Sequence, residues 1–285
     1  MKKKAKHPGK TPITYKKKPK TPAQPGSGPA KDVPAAQLPP DRAHRKAPVR
    51  DLKSLRLDEG FRLVIEALTP MHLGSGQADV NVDADIVYDA YGLPVFPAKR
   101  LKGRLYESGI EVAEMAERAF PELLQKDSWD ALFHHGMSQE TKEAAESSQA
   151  QLILRDLALQ DAEAMEQDWA YLERRYPSLF QPHDILASYT SLRYQTRIAP
   201  ETGIAADTSL HNMRVLEAGC TFAGTIVIEH GTMRDWKMVA LALRNLSHAG
   251  LKRTRGFGRI DCRLEQDDRD ATALLVEAAL KKGTC

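Results

Sequence analysis

The chain is 285 residues long with 41 Lys+Arg against 38 Asp+Glu, a net charge of +3 that averages two unlike parts. Residues 1–50 hold 14 Lys+Arg, two acids (Asp32 and Asp41) and ten of the 17 prolines, so that stretch carries +12 and the remainder −9. No apolar run approaches the ~20 residues of a membrane span. The three cysteines form no CxxC pair, which excludes a disulfide scaffold or a cysteine-based zinc site and fits a reducing cytoplasm.

Residues 1–55 read as a disordered basic Pro-rich tail, too polar and charged to order itself, and residues 56–285 as the folding unit. The runs Lys2-Lys3-Lys4 and Lys16-Lys17-Lys18 add phosphate attraction or serve as a solubilising leader. There is no apolar stretch behind them, so the segment is not a secretory signal.

The first regular element is Phe61–Leu68, where Phe61, Leu63, Ile65 and Ala67 alternate with other residues and predict a strand. A loop follows from Met71 to Asp89. Pro97 suits the first position of a helix, because its missing N–H has no intrahelical partner there. Leu101, Leu105, Val112 and Met115 follow at helical spacing and predict its buried stripe. The polar segment 121–150 reads as an insertion, 151–159 as a second strand and 160–180 as a helix.

From Ser191 to Ile198 the chain alternates again. Leu192, Tyr194, Thr196 and Ile198 lie on one face and Arg193, Gln195 and Arg197 on the other, with a turn signal at Pro200–Gly203. An extended hairpin with a basic face is expected over 187–217. A strand at 220–229, a helix at 233–248 bearing Trp236, Val239, Leu243 and Leu246, a strand at 258–265 and a terminal helix at 269–281 complete the chain. Without the insertion and the hairpin, the order is strand, helix, strand, strand, helix, strand. That predicts an α+β, ferredoxin-like domain in the order of an RNA-recognition motif.

Four constellations carry chemistry. The turn His72-Leu-Gly74-Ser75-Gly76 allows close approach of backbone N–H groups to an anion, with His72 as donor or acid/base, or it simply ends a strand. Asp79, Asp83, Asp85 and Asp89 form an acidic loop that suits a divalent cation beside phosphates, or merely turn chemistry. The helix start Lys99-Arg100-Leu101-Lys102-Gly103-Arg104 concentrates cations where a helix dipole already favours anions. The segment Lys252-Arg253-Thr254-Arg255-Gly256-Phe257-Gly258-Arg259 is a flexible cationic cradle with one stacking ring. It has no Walker A spacing. There is no Ser-His-Asp or Cys-His nucleophile pattern and no dinucleotide fingerprint.

In order and spacing, these motifs, with Val82-Asp83-Ala-Asp85-Ile-Val-Tyr-Asp89, Gly92-Leu-Pro-Val-Phe-Pro97, Arg155-Asp156 and Glu201-Thr202-Gly203, resemble the RAMP superfamily of CRISPR-associated proteins over residues 61–265. The likeness is strongest to the repeated backbone subunit of type III effector complexes. It implies a modified RNA-recognition fold whose hairpin is a protruding thumb. It implies partnership with CRISPR guide RNA, target RNA and other CRISPR-associated subunits, including copies of this chain or related RAMP subunits. It implies metal-dependent cleavage of target RNA, with Asp83 as the catalytic and metal-binding residue, Asp85 and Asp89 as further acids, and Mg2+ or Mn2+ as the cation. It also implies guide contacts from His72, Gly74, Ser75, Lys99, Arg100, Lys102, Arg104, Arg193, Arg197, Lys252, Arg253, Arg255, Phe257 and Arg259. The helix start departs from the family's usual Pro-Gly-Ser-Ser-Leu-Lys-Gly: here Ala98, Lys99 and Arg100 replace the small residues. Two other members of the same superfamily fit the same residues: a non-catalytic scaffold, and a metal-independent guide-processing ribonuclease using His72 as general base. A generic RNA-binding module outside CRISPR is the remaining reading.

Overall fold

The computed structural model describes residues 46–78, 81–117, 125–134, 150–177, 179–207 and 209–281. The basic tail up to residue 45, Asp79 and most of the segment 121–150 lie outside the described residues.

A five-strand path of antiparallel pairs organises the domain. Strand β1 (Phe61–Ala67) is central, paired to β6 (Thr221–Glu229) on one side and β7 (Ile260–Gln266) on the other. Beyond β6 lie β2 (Gln151–Leu154) and, further along the same edge, β3 (Ala158–Leu159). The short β8 (Arg269–Asp270) extends the β7 edge. Helix α1 (Ala98–Ala116) follows β1, and α5 (Met233–Asn245) follows β6. This is the ferredoxin-like connection expected from the sequence.

The alternation in β1 does what its pattern predicts. Phe61, Leu63, Ile65 and Ala67 are at most 2% exposed and face the helices. Trp236 of α5 meets the Phe61 ring edge-on at 4.5 Å, a favoured geometry for aromatic pairs. The helices α1 and α5 are bound together where the Ser108 hydroxyl donates to the Ala242 carbonyl at 2.8 Å. The short α2 (Lys126–Leu132) packs Trp129 against α1, so close to Gly109 that a Cβ there would lie 2.1 Å from the indole. The C-terminal α6 (Thr272–Leu280) packs on α5.

The other face of the sheet is an ion-pair surface. Arg62 pairs with Glu265, and Arg263 pairs with both Glu66 and Asp261, each at 3.4 Å. The outward positions of β1, β6 and β7 carry no aromatic residue. The stacking platform of an ordinary RNA-recognition motif is therefore missing from this face.

Between β3 and β6 the chain makes a helical excursion, α3 (Ala162–Arg175) and α4 (Pro182–Tyr189). It then forms a separate two-stranded sheet, β4 (Thr190–Gln195) with β5 (His211–Leu216). The expected turn closes this hairpin: the Gly203 N–H donates to the Ala199 carbonyl at 2.8 Å, with Gly203 at φ +67°.

Four details differ from the sequence reading. Pro97 is the N-cap of α1, not its first residue, and its carbonyl accepts from Leu101 N–H at 3.1 Å. Met115 is 66% exposed, because the buried stripe of Leu101, Leu105 and Val112 continues to Ala116 and leaves Met115 off it. The strand expected over 151–159 breaks at Arg155-Asp156, between β2 and β3. Residues 46–55, expected within the tail, pack on the domain: Val49 is buried and its N–H donates to the Asp270 carbonyl at 2.9 Å, and Leu52–Ser54 form a single helical turn. Among the described residues, no helix is long and apolar enough to cross a membrane.

Candidate RNA interface and acidic loop

The acidic loop is positioned by the hairpin. After β1, Met71 exchanges backbone hydrogen bonds with Leu216 of β5 at 2.9 and 2.8 Å. The loop returns along β5, where the Arg214 N–H donates to the Ala84 carbonyl at 3.0 Å in a parallel bridge. Alternate residues of a strand share a face, so Asn212 and Arg214 present themselves to alternate loop residues, Asp83 and Asp85.

The three described acids of this loop have separate fates. Asp85 is buried, and its Oδ1 takes the Arg214 Nε–H at 2.8 Å and the Ile86 N–H at 2.8 Å. A buried carboxylate needs such a counter-ion. Asp89 accepts from Tyr91 N–H and Leu93 N–H, both at 2.9 Å, which is turn chemistry. Asp85 and Asp89 are thus committed to holding the loop, which corrects the expectation of further site acids. Asp83 is exposed. Its Oδ2 accepts the Asn212 backbone N–H at 2.7 Å, and its own N–H donates to Asn212 Oδ1 at 2.9 Å. Its charge meets a neutral amide and not a cation.

The turn before the loop is also structural. His72 is 2% exposed, and its Nδ1–H donates to the Arg214 carbonyl at 2.7 Å. Burial lowers the His72 pKa below its usual value. The Arg214 carbonyl opposes this, and the neighbouring cations Lys252 and Arg100 add to the lowering. The ring is therefore held inside the fold and not offered at the surface. Gly74 is small because of this ring: a Cβ there would sit 2.6 Å from His72 Nε2. Ser75 gives its N–H to the Asp85 carbonyl at 2.7 Å and accepts from Gln77 N–H at 3.1 Å.

The cations converge on the other side of His72. Arg100 and Lys252 both act on its ring, so the start of α1 and the glycine-bearing loop lie beside each other. Arg253 similarly acts on Arg104 one turn along α1. A groove of about 630 Å³ opens there between α1, the end of α5 and this loop, lined by Arg104, His248, Lys252 and Arg253. Lys99, Arg100, Arg253, Arg255 and Arg259 are exposed, and Phe257 is half-buried.

Lys102, Arg104, Arg193 and Lys252, among the remaining expected cations, have protein partners. Lys102 donates to the Leu152 carbonyl at 3.1 Å, Arg104 pairs with Glu107, and Arg193 pairs with Glu217 at 3.3 Å. Arg197 is exposed on the hairpin beyond β4. Lys252, in the left-handed conformation at φ +57°, donates its ammonium to Gln195 of β4 and so joins the cationic loop to the hairpin. The α1 N-terminus already has an anion: Asp156 Oδ1 accepts the Ala98 N–H at 2.7 Å.

Sequence reasoning missed Asn212 and Arg214, and it gave Asp156 no role beyond its place in a motif. Each acts on a residue at least 58 positions away. The one available signal was an asparagine in a strand, a residue type depleted there.

A family model described as "RAMPs: RAMP superfamily" matches residues 64–261. No curated protein matches the chain. Among solved structures, a chain of the type III-B Cmr-beta complex in its apo state is 14% identical, with 74% of this chain and 99% of that one covered and a TM-score of 0.48. A chain of the Cmr-beta complex bound to cognate target RNA is 13% identical, with 76% and 98% covered and a TM-score of 0.49. At such identity and overlap, function has to be argued from the site itself.

Proposed function

The chain belongs to the RAMP superfamily, and from that premise we propose that it is a guide-RNA-binding backbone subunit of a type III CRISPR effector complex that cleaves complementary target RNA through Asp83. Exposed cations at the start of α1 and in the glycine-bearing loop hold guide phosphates by charge, as long flexible side chains do. The hairpin stands beside them, with Arg197 and the ring of Tyr194 offered to nucleotides of the guide–target duplex. Its partners are guide RNA, target RNA and further RAMP subunits, copies of itself included.

One observation carries the catalytic part. Of the three described loop acids, Asp83 alone is exposed and bound to neutral groups, while Asp85 and Asp89 are consumed by the fold. Among the described residues there is no group of three or more His, Cys, Asp or Glu suited to hold a metal. A lone carboxylate does fit the way Mg2+ binds beside nucleic acid, through one or two carboxylates with phosphate oxygens completing the shell. A divalent cation held jointly by Asp83 and RNA would neutralise charge at the scissile phosphate and make a 2′-hydroxyl a better nucleophile. The chain's own contribution is position: Asp83 fixed at the hairpin base, and a strand pair that orients the nucleotide for in-line attack. No covalent protein intermediate is required.

The test is the Asp83→Ala variant in the assembled complex, assayed with an RNA complementary to its guide. Guide content and target binding should be unchanged and cleavage abolished. Retention of the native cuts refutes the assignment and leaves the non-catalytic scaffold. The His72-based processing ribonuclease loses support from the burial of that ring.

A further inference from the structure

Asn212 makes three hydrogen bonds to the acidic loop across about 130 residues of sequence. Its Oδ1 accepts the Asp83 N–H at 2.9 Å, its backbone N–H donates to Asp83 Oδ2 at 2.7 Å, and its Nδ2–H donates to the Asn81 carbonyl at 3.0 Å. Two of the three need the carboxamide itself. Asparagine is unfavourable in a strand, where β-branched residues pack better, so its place in β5 has to be accounted for by those bonds. Two residues on, the Arg214 guanidinium reaches the Asp85 carboxylate itself at 2.8 Å, whereas the Asn212 carboxamide holds the loop backbone and only the Asn212 backbone N–H meets the Asp83 carboxylate. The two contacts differ in consequence. A guanidinium cancels a carboxylate's charge, whereas a neutral amide fixes the loop and leaves the charge in place for a cation.

We propose that Asn212 is a positioning residue that clasps Asp83 to the hairpin base and presents its carboxylate to the divalent cation and the RNA backbone. This rests on the reading of Asp83 given above. It goes further in tying the competence of the acid to the hairpin, since Gln195, which receives the Lys252 ammonium, pairs with His211 next to Asn212.

The experiment compares Asn212→Val, Asn212→Asp and Asp83→Ala with the native chain in the assembled complex. Valine suits a strand, so the hairpin should persist while the carboxamide is lost. Amide hydrogen exchange without divalent metal should show the Asp83 N–H deprotected in Asn212→Val and protected in Asn212→Asp, which keeps the acceptor oxygen. Target cleavage by Asn212→Val should fall about 10–100-fold, with the Mn2+ concentration for half-maximal rate raised about tenfold, the usual scale for loss of an outer partner of a metal ligand. Asn212→Asp should fall between Asn212→Val and native. Native exchange at the Asp83 amide in Asn212→Val overturns the clasp. Native rate and Mn2+ dependence in Asn212→Val beside an inactive Asp83→Ala overturns the positioning role and spares the reading of Asp83. An active Asp83→Ala overturns both.

Discussion

The two ends of the hairpin are built on opposite principles. At its base, every contact is specified. Met71 and Leu216 exchange backbone bonds, His72 donates to the Arg214 carbonyl, Arg214 neutralises Asp85 and Asn212 clasps Asp83. Beyond the strand pair the apolar side chains are solvated: Ile198 is 53%, Ile204 68% and Leu210 70% exposed. A strand pair that is fixed at one end and solvated at the other holds its direction while offering an apolar surface to something outside the chain. The base determines stability and the position of the acid, and the far end is free for recognition.

The sharpest way to break this contrast is at Arg214. Replacing it with Ala leaves Asp85 buried without its counter-ion, which costs about 3–5 kcal/mol when one partner of a buried pair is removed. Chemical denaturation of Arg214→Ala should show a loss of that order, and a loss below about 1 kcal/mol would mean that the base is not the anchored end.

Acid should loosen the same end next. The unfolded chain binds a proton at His72 near its ordinary pKa of about 6.5, and the folded chain does so only at lower pH. Its contribution is therefore complete above that value and is lost as pH falls from about 7 toward 5. Thermal unfolding across this range should show a decline in stability that is reduced in His72→Gln. An equal decline in the variant would place the acid sensitivity elsewhere.

The smallest effect is expected at the far end. Ile198→Ser, Ile204→Ser and Leu210→Ser should each change unfolding free energy by no more than about 0.5 kcal/mol, as exposed positions do. The same variants should weaken target RNA binding by the complex, measured by filter retention at fixed salt. A large stability loss would show that the far end packs on the fold.

Much of this was legible in the chain. Alternation in Phe61–Ala67 and helical spacing in Leu101, Leu105 and Val112 mark core faces, because burial has the period of the element that carries it. The hairpin showed in the alternation from Ser191 and in the turn at Gly203. The roles of the acids did not show. Asp83, Asp85 and Asp89 are three similar residues within seven positions, and nothing local separates them. His72, Gly74 and Ser75 looked like an anion turn because the same small and polar residues serve a tight internal turn.

By itself, then, the sequence determined the ferredoxin-like order, the cationic segments and the family, all of which depend on local periodicity, turn chemistry and motif spacing. Only the tertiary structure decided which charges are available. Arg214 reaches Asp85, Asn212 reaches Asp83, Asp156 reaches the start of α1 and Lys252 reaches Gln195. These partners are brought together by the crossing of the chain, and it is the partner that determines whether a charge is neutralised inside the fold or left to act on RNA.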